Sequence, residues 1–290
     1  MLKLFSLLAC LACAEAAPMP AIGGTAVDVE LVLAVDISQS MDEEEFALQR
    51  AGYVEALRHP DFISAARSGP RGRIALAYFE WAGVVRDDGV IGWQVIDGAD
   101  SANVFADTIA GRPFRSFRGT SISGALGFGA GLLEKNSYSA PRRVIDISGD
   151  GPNNAGLPVA MIRDAALAKG IVVNGLPILI SPSPSVIRLD RYYADCVTGG
   201  PGSFVLPIYA ASEFSTAIRR KLIQEVSAIR IFRSWIGEVP ICTVSARAPR
   251  CASGRSGAVF GAELVIAIAA PAPADDIAAQ QFGRRVAERL

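Results

Sequence analysis

Apolar segments alternate with amphipathic segments between residues 27 and 229 of the chain. The nearly unbroken apolar run from Val27 to Val35 is typical of a strand that is covered on both faces in a parallel sheet. After it, Asp42 to Glu45 place acidic side chains in the first turn of an amphipathic helix that runs to Arg58, where the helix dipole favours negative charge. The same patterns predict further strands at 73–81, 91–96, 143–147, 171–179 and 203–209, and further helices at 101–110, 121–135, 157–169 and 212–229.

Strands that alternate with helices in this way predict an α/β fold with a doubly wound, mostly parallel sheet across residues 27–229. Gly and Asp residues separate the segments 73–81 and 91–96, which predicts an antiparallel hairpin and therefore one antiparallel edge strand. Residues 230–290 differ from the rest of the chain in composition: they contain Arg but no Lys and have repeated Pro and Gly. We interpret them as an appended C-terminal extension, to which the sequence assigns no role.

The N-terminus has the pattern of a secretory signal peptide over residues 1–17. Lys3 is followed by an apolar run to Ala14 and then by small residues. This pattern predicts export, to the periplasm or the extracellular space. The apolar stretch 264–274 is too short and too interrupted by Pro to cross a bilayer, so we expect no transmembrane segment after signal removal.

Composition narrows the chemistry that the chain can perform. The 28 Lys and Arg residues nearly balance the 29 Asp and Glu residues, and a formal net charge of -1 argues against a nucleic-acid partner. His59 is the single histidine and lies in a polar segment at a helix exit. Sites built from several histidines are therefore excluded, and a Ser-His-Asp or Cys-His triad would depend on this one residue.

Three cysteines remain once the leader is removed, namely Cys196, Cys242 and Cys251. A disulfide between Cys242 and Cys251 would close a short loop and leave Cys196 buried or free, but the spacing does not fix the pairing. None of the spacings matches a zinc knuckle.

Oxygen-bearing side chains follow two of the predicted strands. Asp36, Ser38 and Ser40 come directly after the first strand, and Asp150 follows the fourth. In doubly wound sheets ligands bind beyond the carboxyl ends of the strands, at the crevice where the strand order reverses, and in the usual order these two strands are neighbours. Thr120 precedes the third predicted helix and adds a hydroxyl group at the same end of the sheet.

Two carboxylates and three hydroxyl groups form an all-oxygen donor set, which suits a hard cation with six ligands. Mg²⁺ fits this set best, with Ca²⁺ or Mn²⁺ as alternatives. The predicted metal-site residues are Asp36, Ser38, Ser40, Thr120 and Asp150.

Local structure offers a competing explanation for these polar residues. Ser40 with Glu43 has the spacing of a capping box, Thr120 is placed to be a helix N-cap, Ser38 can bond local backbone, and Asp150 begins an ordinary turn. Their occurrence together, in this order and with both acids at the ends of buried strands, favours the metal site.

The three segments also resemble a known site. Asp-x-Ser-x-Ser at 36–40, Gly-Thr-Ser at 119–121 and Asp-Gly at 150–151 resemble the metal-ion-dependent adhesion site of von Willebrand factor A domains. The resemblance covers residues 27–229 and most closely suggests a bacterial exported subgroup of unknown function. It implies a magnesium-dependent protein-binding module without catalysis.

Particular roles follow from this resemblance. It implies that three hydroxyl groups bind the cation directly, those of Ser38, Ser40 and Thr120, and that two acids act mainly through water, Asp36 and Asp150. It further implies a partner protein that presents an Asp or Glu, whose carboxylate completes the coordination of the cation.

An enzyme is the main alternative. Asp36 after a strand, together with residues 149–154, also resembles haloacid-dehalogenase-type phosphatases, in which an aspartate nucleophile attacks phosphorus beside magnesium. Ser38 stands where that class needs a general acid, and Asn154 stands where it has another metal carboxylate, so this resemblance is incomplete. A dinucleotide site at 127–131 is disfavoured because these glycines lie inside a helical pattern. A third hypothesis is a vestigial site on a domain that acts only as a scaffold.

Overall fold

A five-stranded sheet lies at the centre of the residues that the computed structural model describes, which are 24–180 and 188–227. Its strand order is β4-β3-β2-β6-β7, and β4 alone in this sheet runs antiparallel to its neighbour. A separate pair of short parallel strands joins β1 to β5. The strands are β1 Thr25–Ala26, β2 Val29–Asp36, β3 Ile74–Trp81, β4 Val85–Ile96, β5 Tyr138–Ser139, β6 Arg142–Gly149 and β7 Ile171–Pro177.

Helices connect these strands and confirm the predicted α/β class. They are α1 Glu43–Arg58, α2 Pro60–Ala66, α3 Ala99–Ala110, α4 Ile122–Glu134, α5 Val159–Ala168, α6 Leu189–Tyr192 and α7 Phe214–Val226. A π-helical turn, Tyr193–Val197, continues α6, and a short 3₁₀ turn precedes α7. Within residues 24–180 and 188–227, no helix has the length and apolar character that a membrane span needs.

The central strand β2 is buried along its whole length, which explains its continuous apolar sequence. Leu31 and Leu33 contact the apolar cluster formed with α1, α3 and α7, whereas Val32 and Ala34 contact the cluster formed with α4 and α5. Alternate side chains point to opposite faces of a strand, so a strand covered on both faces needs apolar residues at nearly every position. The sheet therefore has one helical layer on each face.

The strand β4 is longer than predicted, because it begins at Val85 and not at residue 91. After Val85 the residues Arg86, Asp87 and Asp88 are polar and exposed, as suits an edge strand, so this part of β4 gives no apolar signal. The segment predicted as a strand at 203–209 does not form a continuous strand. Two isolated parallel bridges join Val205 to Gly175 of β7 and Ile208 to Ile178 directly after β7, and Pro207 lies between them without a backbone N–H to donate.

The sequence pattern did not predict the short elements β1, β5, α2 and α6 or the π-helical turn. His59 ends α1 and begins α2, where its Nδ1 accepts a hydrogen bond from the Asp61 backbone N–H at 3.2 Å. The single histidine therefore has a capping role in the fold. Within the predicted glycine-containing helix, a β-carbon on Gly129 would lie 3.2 Å from Ile145, so this glycine permits close packing of α4 on β6.

Cys196 lies in the π-helical turn, is 5% exposed and is disulfide-bonded. The pairing alternative that leaves Cys196 without a disulfide is therefore wrong. Cys242 and Cys251 lie outside the described residues, as do the predicted signal peptide at 1–17 and the predicted extension at 230–290.

Candidate functional site

Asp36 is the last residue of β2 and is fully buried. Its Oδ1 accepts a hydrogen bond from the backbone N–H of Ser38 at 2.8 Å, which turns the chain directly after the strand. Gln49 of α1 donates from Nε2 to the carbonyl oxygen of Asp36 at 3.0 Å and accepts from Ser148 Oγ at 3.1 Å. Because one side chain bonds to both β2 and β6, α1 fixes the ends of these two strands relative to each other.

A chain of hydroxyl groups joins this turn to the end of β6. The Oγ atoms of Ser38 and Ser40 are 2.8 Å apart, and Ser40 Oγ donates to Asp150 Oδ1 at 2.7 Å. The competing capping box between Ser40 and Glu43 does not form. The box of α1 is made instead by Asp42 and Glu45, so the Ser40 hydroxyl faces the site.

Thr120 reaches the same end of the sheet through its backbone. Its N–H donates to Asn154 Oδ1 at 2.8 Å, and its carbonyl oxygen accepts from the Asn154 N–H at 2.9 Å. A β-carbon on Gly151 would lie 3.8 Å from Thr120 Oγ1, so this hydroxyl group borders the turn that Asp150 begins. The N-cap of α4 is Ser121 and not Thr120, because Ser121 Oγ accepts from the Gly124 N–H at 3.2 Å.

The structure thus gathers the five predicted residues at the carboxyl ends of β2 and β6. These strands are neighbours, as predicted, and the strand order reverses between them. Hydrogen bonds link the side chains of Ser38, Ser40 and Asp150, and the backbone N–H of Ser38 donates to the side chain of Asp36. Thr120 lies beside this network, and among the described residues its side chain makes no hydrogen bond to Ser38, Ser40 or Asp150.

Burial disfavours the charged form of both acids of the site. Burial raises the pKa of Asp36 to about 8, and the nearby carboxylate of Asp150 adds to this effect. Burial also raises the pKa of Asp150, while the hydrogen bond from Ser40 acts in the opposite direction and Glu45 adds a further negative charge. The site therefore has the electrostatic character of a place where a cation would be stabilised.

The donor set fits a hard cation. Asp36 Oδ2 is buried and has no hydrogen-bond partner among the described residues, so an uncompensated oxygen remains inside the site. No group of three or more His, Cys, Asp or Glu side chains in the described ranges is placed to hold a metal ion. A cation bound here would therefore need hydroxyl oxygens as ligands, which the serine chain and Thr120 supply.

Sequence reasoning missed the residues that support the site from behind. Gln49 lies on the buried face of α1, and a polar residue at an apolar position was the only available signal for it. Asn153 accepts from the Ser123 N–H at 2.9 Å, just as Asn154 accepts from Thr120. The two consecutive asparagines thus hold the start of α4, and Asn154 Oδ1 is already engaged by backbone.

Comparisons with known proteins place most of the chain in one family. A family model described as "Protein of unknown function (DUF1194)" matches residues 26–230. No curated protein matches the chain.

Several solved structures are similar to this chain at low identity. The pilus adhesin SpaC from Lactobacillus rhamnosus GG, in its open conformation, has a TM-score of 0.51 at 15% identity, over 69% of this chain and 30% of its own. The von Willebrand factor type A structure from Catenulispora acidiphila has a TM-score of 0.47 at 15% identity, over 69% and 43%. The proximal thread matrix protein 1 from the mussel byssus, with a zinc-occupied MIDAS motif, has a TM-score of 0.45 at 16% identity, over 69% of this chain and 48% of its own.

These matches span less than half the length of each of the three solved chains. At this identity the likeness to SpaC shows a shared fold and nothing about ligands. The other two TM-scores are too low to support an argument about function.

Proposed function

The chain belongs to the DUF1194 family of proteins of unknown function, and from that premise we propose that it is a divalent-cation-dependent protein-binding module of the von Willebrand factor A type. One observation carries the proposal. The buried, unpartnered Oδ2 of Asp36 lies at the same sheet edge as a hydroxyl chain that ends on a second acid, Asp150. This is a donor set without histidine or thiol, which favours a hard cation.

Each residue has a defined part in the proposed site. The hydroxyl oxygens of Ser38, Ser40 and Thr120 are the direct ligands, while Asp36 and Asp150 orient these groups and act through water. Mg²⁺ is the proposed cation, with Ca²⁺ or Mn²⁺ as alternatives. When bound, the cation supplies an electrophilic coordination position for a carboxylate oxygen. Because the direct ligands are neutral, they leave that position attractive to an Asp or Glu of a partner protein.

Exposed apolar side chains around the site support a protein partner. Val84 lies in the turn that follows β3, Phe114 lies just before the segment that pairs with residues 37–39, and Leu157 lies between Asp150 and α5. Large apolar side chains next to a polar site are typical of protein–protein contact surfaces. We therefore propose a protein as the ligand, and no nucleic acid.

The burial of Asp36 also supports binding over catalysis. A nucleophilic carboxylate must reach its substrate, but Asp36 is fully buried, and Gly149 packs beside its Oδ2. We accordingly propose that the protein does not hydrolyse phosphate esters. Incubation of the purified chain with a generic phosphate ester and Mg²⁺ is expected to give no turnover above that of an Asp36→Asn variant.

The proposal includes export. The signal-peptide pattern of residues 1–17 supports a location in the periplasm or outside the cell, where the partner would be met.

The first test is the effect of Mg²⁺ on the stability of the folded chain. A ligand that binds only the folded state stabilises it by about 2.7 kcal/mol at a hundredfold excess over Kd, so Mg²⁺ is expected to raise the Tm and EDTA to reverse the rise. Ser40→Ala removes one ligand at an exposed position and is expected to reduce this rise at least by half. Ser139→Ala changes an exposed serine of β5 and serves as the control, with a rise like that of the wild type.

The second test is capture of partners from an envelope extract. Wild-type protein and Ser139→Ala are expected to retain the same proteins in Mg²⁺ and to release them in EDTA, and Ser40→Ala to retain them weakly. An unchanged Tm in Mg²⁺, together with capture that EDTA does not affect, would contradict the proposal and favour a vestigial site.

A further inference from the structure

Tyr193 is a fully buried residue behind the candidate site. It begins the π-helical turn after α6, and its hydroxyl group has no hydrogen-bond partner among the described residues. A buried hydroxyl group without a partner is costly, because it has lost its bonds to water. π-Helical turns are rare and are frequently found at functional sites.

Gly149 brings this hydroxyl group close to the site. A β-carbon at Gly149 would lie 2.8 Å from Tyr193 Oη and 2.7 Å from Asp36 Oδ2. The two oxygens therefore face the same small space, which stays open only because residue 149 has no side chain. Both of them are buried and unpartnered in the described part of the chain.

We propose that Tyr193 is a positioning residue for the cation site, whose hydroxyl group donates to Asp36 Oδ2, directly or through one water molecule, in the cation-bound protein. Asp36 in turn holds the Ser38 turn through the bond to its backbone N–H. Tyr193 thus acts on the proposed ligands through the orientation of Asp36. This inference rests on the proposed function.

The chemistry of the two groups fits this arrangement. Burial raises the pKa of Tyr193 well above its usual value, and the nearby acids Asp36 and Asp150 add to the effect, so the hydroxyl group keeps its proton. A protonated phenol can donate to a carboxylate, and hydrogen bonds to charged acceptors are stronger than those between neutral groups. The bond between Tyr193 and Asp36 would satisfy two buried atoms at once.

The variant Tyr193→Phe tests the inference, because it removes only the hydroxyl group. We expect Mg²⁺ affinity, measured by isothermal titration calorimetry, to fall about tenfold, as befits one charge-assisted hydrogen bond. In EDTA we expect the Tm to stay equal or to rise, because an unpartnered buried hydroxyl group has been removed. A purely structural role would instead lower the Tm equally in EDTA and in Mg²⁺.

Tyr53→Phe is the matched control. Tyr53 is also fully buried, and its hydroxyl group also lacks a partner among the described residues, but its charged neighbours are Asp146 and Glu225. Its removal is therefore expected to leave Mg²⁺ affinity within about twofold of the wild type. A second variant, Gly149→Ala, fills the space between the two oxygens and is expected to weaken Mg²⁺ binding more than Tyr193→Phe does.

The outcomes separate the inference from the proposed function. If the wild type binds Mg²⁺ and Ser40→Ala does not, but Tyr193→Phe binds as tightly as the wild type, the inference is wrong and the proposed function stands. If the wild type itself shows no Mg²⁺ binding, both are wrong. Loss of affinity in Tyr193→Phe with an unchanged Tm in EDTA supports the inference.

Discussion

Asp36 combines complete burial with a neighbouring carboxyl group. Burial and the charge of Asp150 raise its pKa to about 8 from an ordinary value of 3.8, although Ser38 donates to it. The folded, cation-free protein therefore holds a proton on Asp36 that the unfolded chain releases near pH 4. The stability that this proton contributes is complete below the unfolded pKa and is lost as the pH rises toward 8.

The variant Asp36→Asn tests this residue, because it keeps the shape of the side chain and does not titrate. One unit of pKa shift corresponds to about 1.4 kcal/mol. In EDTA we therefore expect the free energy of unfolding of the variant, relative to that of the wild type, to rise by about a few kcal/mol between pH 5 and pH 9. Urea unfolding at pH 5, 7 and 9 measures the difference. Parallel pH profiles of the two proteins would show that Asp36 is already ionised in the folded state at pH 5.

At the scale of elements, a buried ionic cluster joins α7 to the sheet. Lys221 of α7 contacts Asp146 of β6 and donates to Glu225 Oε1 at 2.6 Å, and Asn174 of β7 donates to the same oxygen at 3.4 Å. Burial raises the pKa of Glu225 to about 7, with Asp146 adding to it, and burial raises that of Asp146. Burial alone would lower the pKa of Lys221, but the two acids raise it above its usual value.

This cluster contains two acids and one cation away from water, so one proton is needed to make it neutral. The Lys221→Met variant leaves two buried carboxyl groups without their cation, which typically costs about 3 to 5 kcal/mol of stability. The raised pKa values of both acids mean that low pH supplies the missing protons. We therefore expect the variant to lose close to about 5 kcal/mol of its free energy of unfolding at pH 8 and clearly less at pH 5, as measured by urea unfolding.

Lys169→Met is the control for this prediction. Lys169 is exposed and pairs with the exposed Glu134, so its loss is expected to cost less than about 1 kcal/mol at either pH. An equal loss for Lys221→Met at pH 5 and pH 8 would mean that the acids of the cluster do not titrate in this range.

Across the whole molecule, one edge of the sheet carries both the polar site and several exposed apolar side chains. Phe114 is 46% exposed and contacts Phe46 of α1, and Leu157 is 55% exposed beside the Asp150 turn. The chain as a whole is nearly neutral, so long-range steering by net charge is weak. Partner affinity is then expected to come from this edge.

Phe114→Ser tests the contribution of the apolar side chains. We expect Mg²⁺ affinity to stay within about twofold of the wild type, because Phe114 is not a ligand, and partner capture in Mg²⁺ to fall about tenfold through lost apolar contact. Val104→Ser is the matched control, since Val104 is 56% exposed in the middle of α3. Equal capture by both variants would place the partner elsewhere on the molecule.

The sequence by itself determined the class of the fold, and it predicted five candidate site residues at one end of the sheet. Side-chain periodicity is local, so the buried run of β2 and the amphipathic helices could be read directly. Parallel strands end at the same edge of a sheet, so the sequence predicted that Asp36 and Asp150 lie close together. Side-chain periodicity failed to predict the bounds of strands in two places: the polar residues 86–88 near the start of β4 and the Pro-containing segment 203–209.

Only the tertiary structure decided which side chains surround those residues. Ser40 bonds to Asp150 and Gln49 bonds to Ser148 across long sequence separations, while Gly149 leaves the space that Tyr193 and Asp36 share. The same holds for the ionic cluster of α7, whose members lie on three elements. Such contacts depend on the packing of elements against each other, which no local pattern of apolar and polar residues encodes.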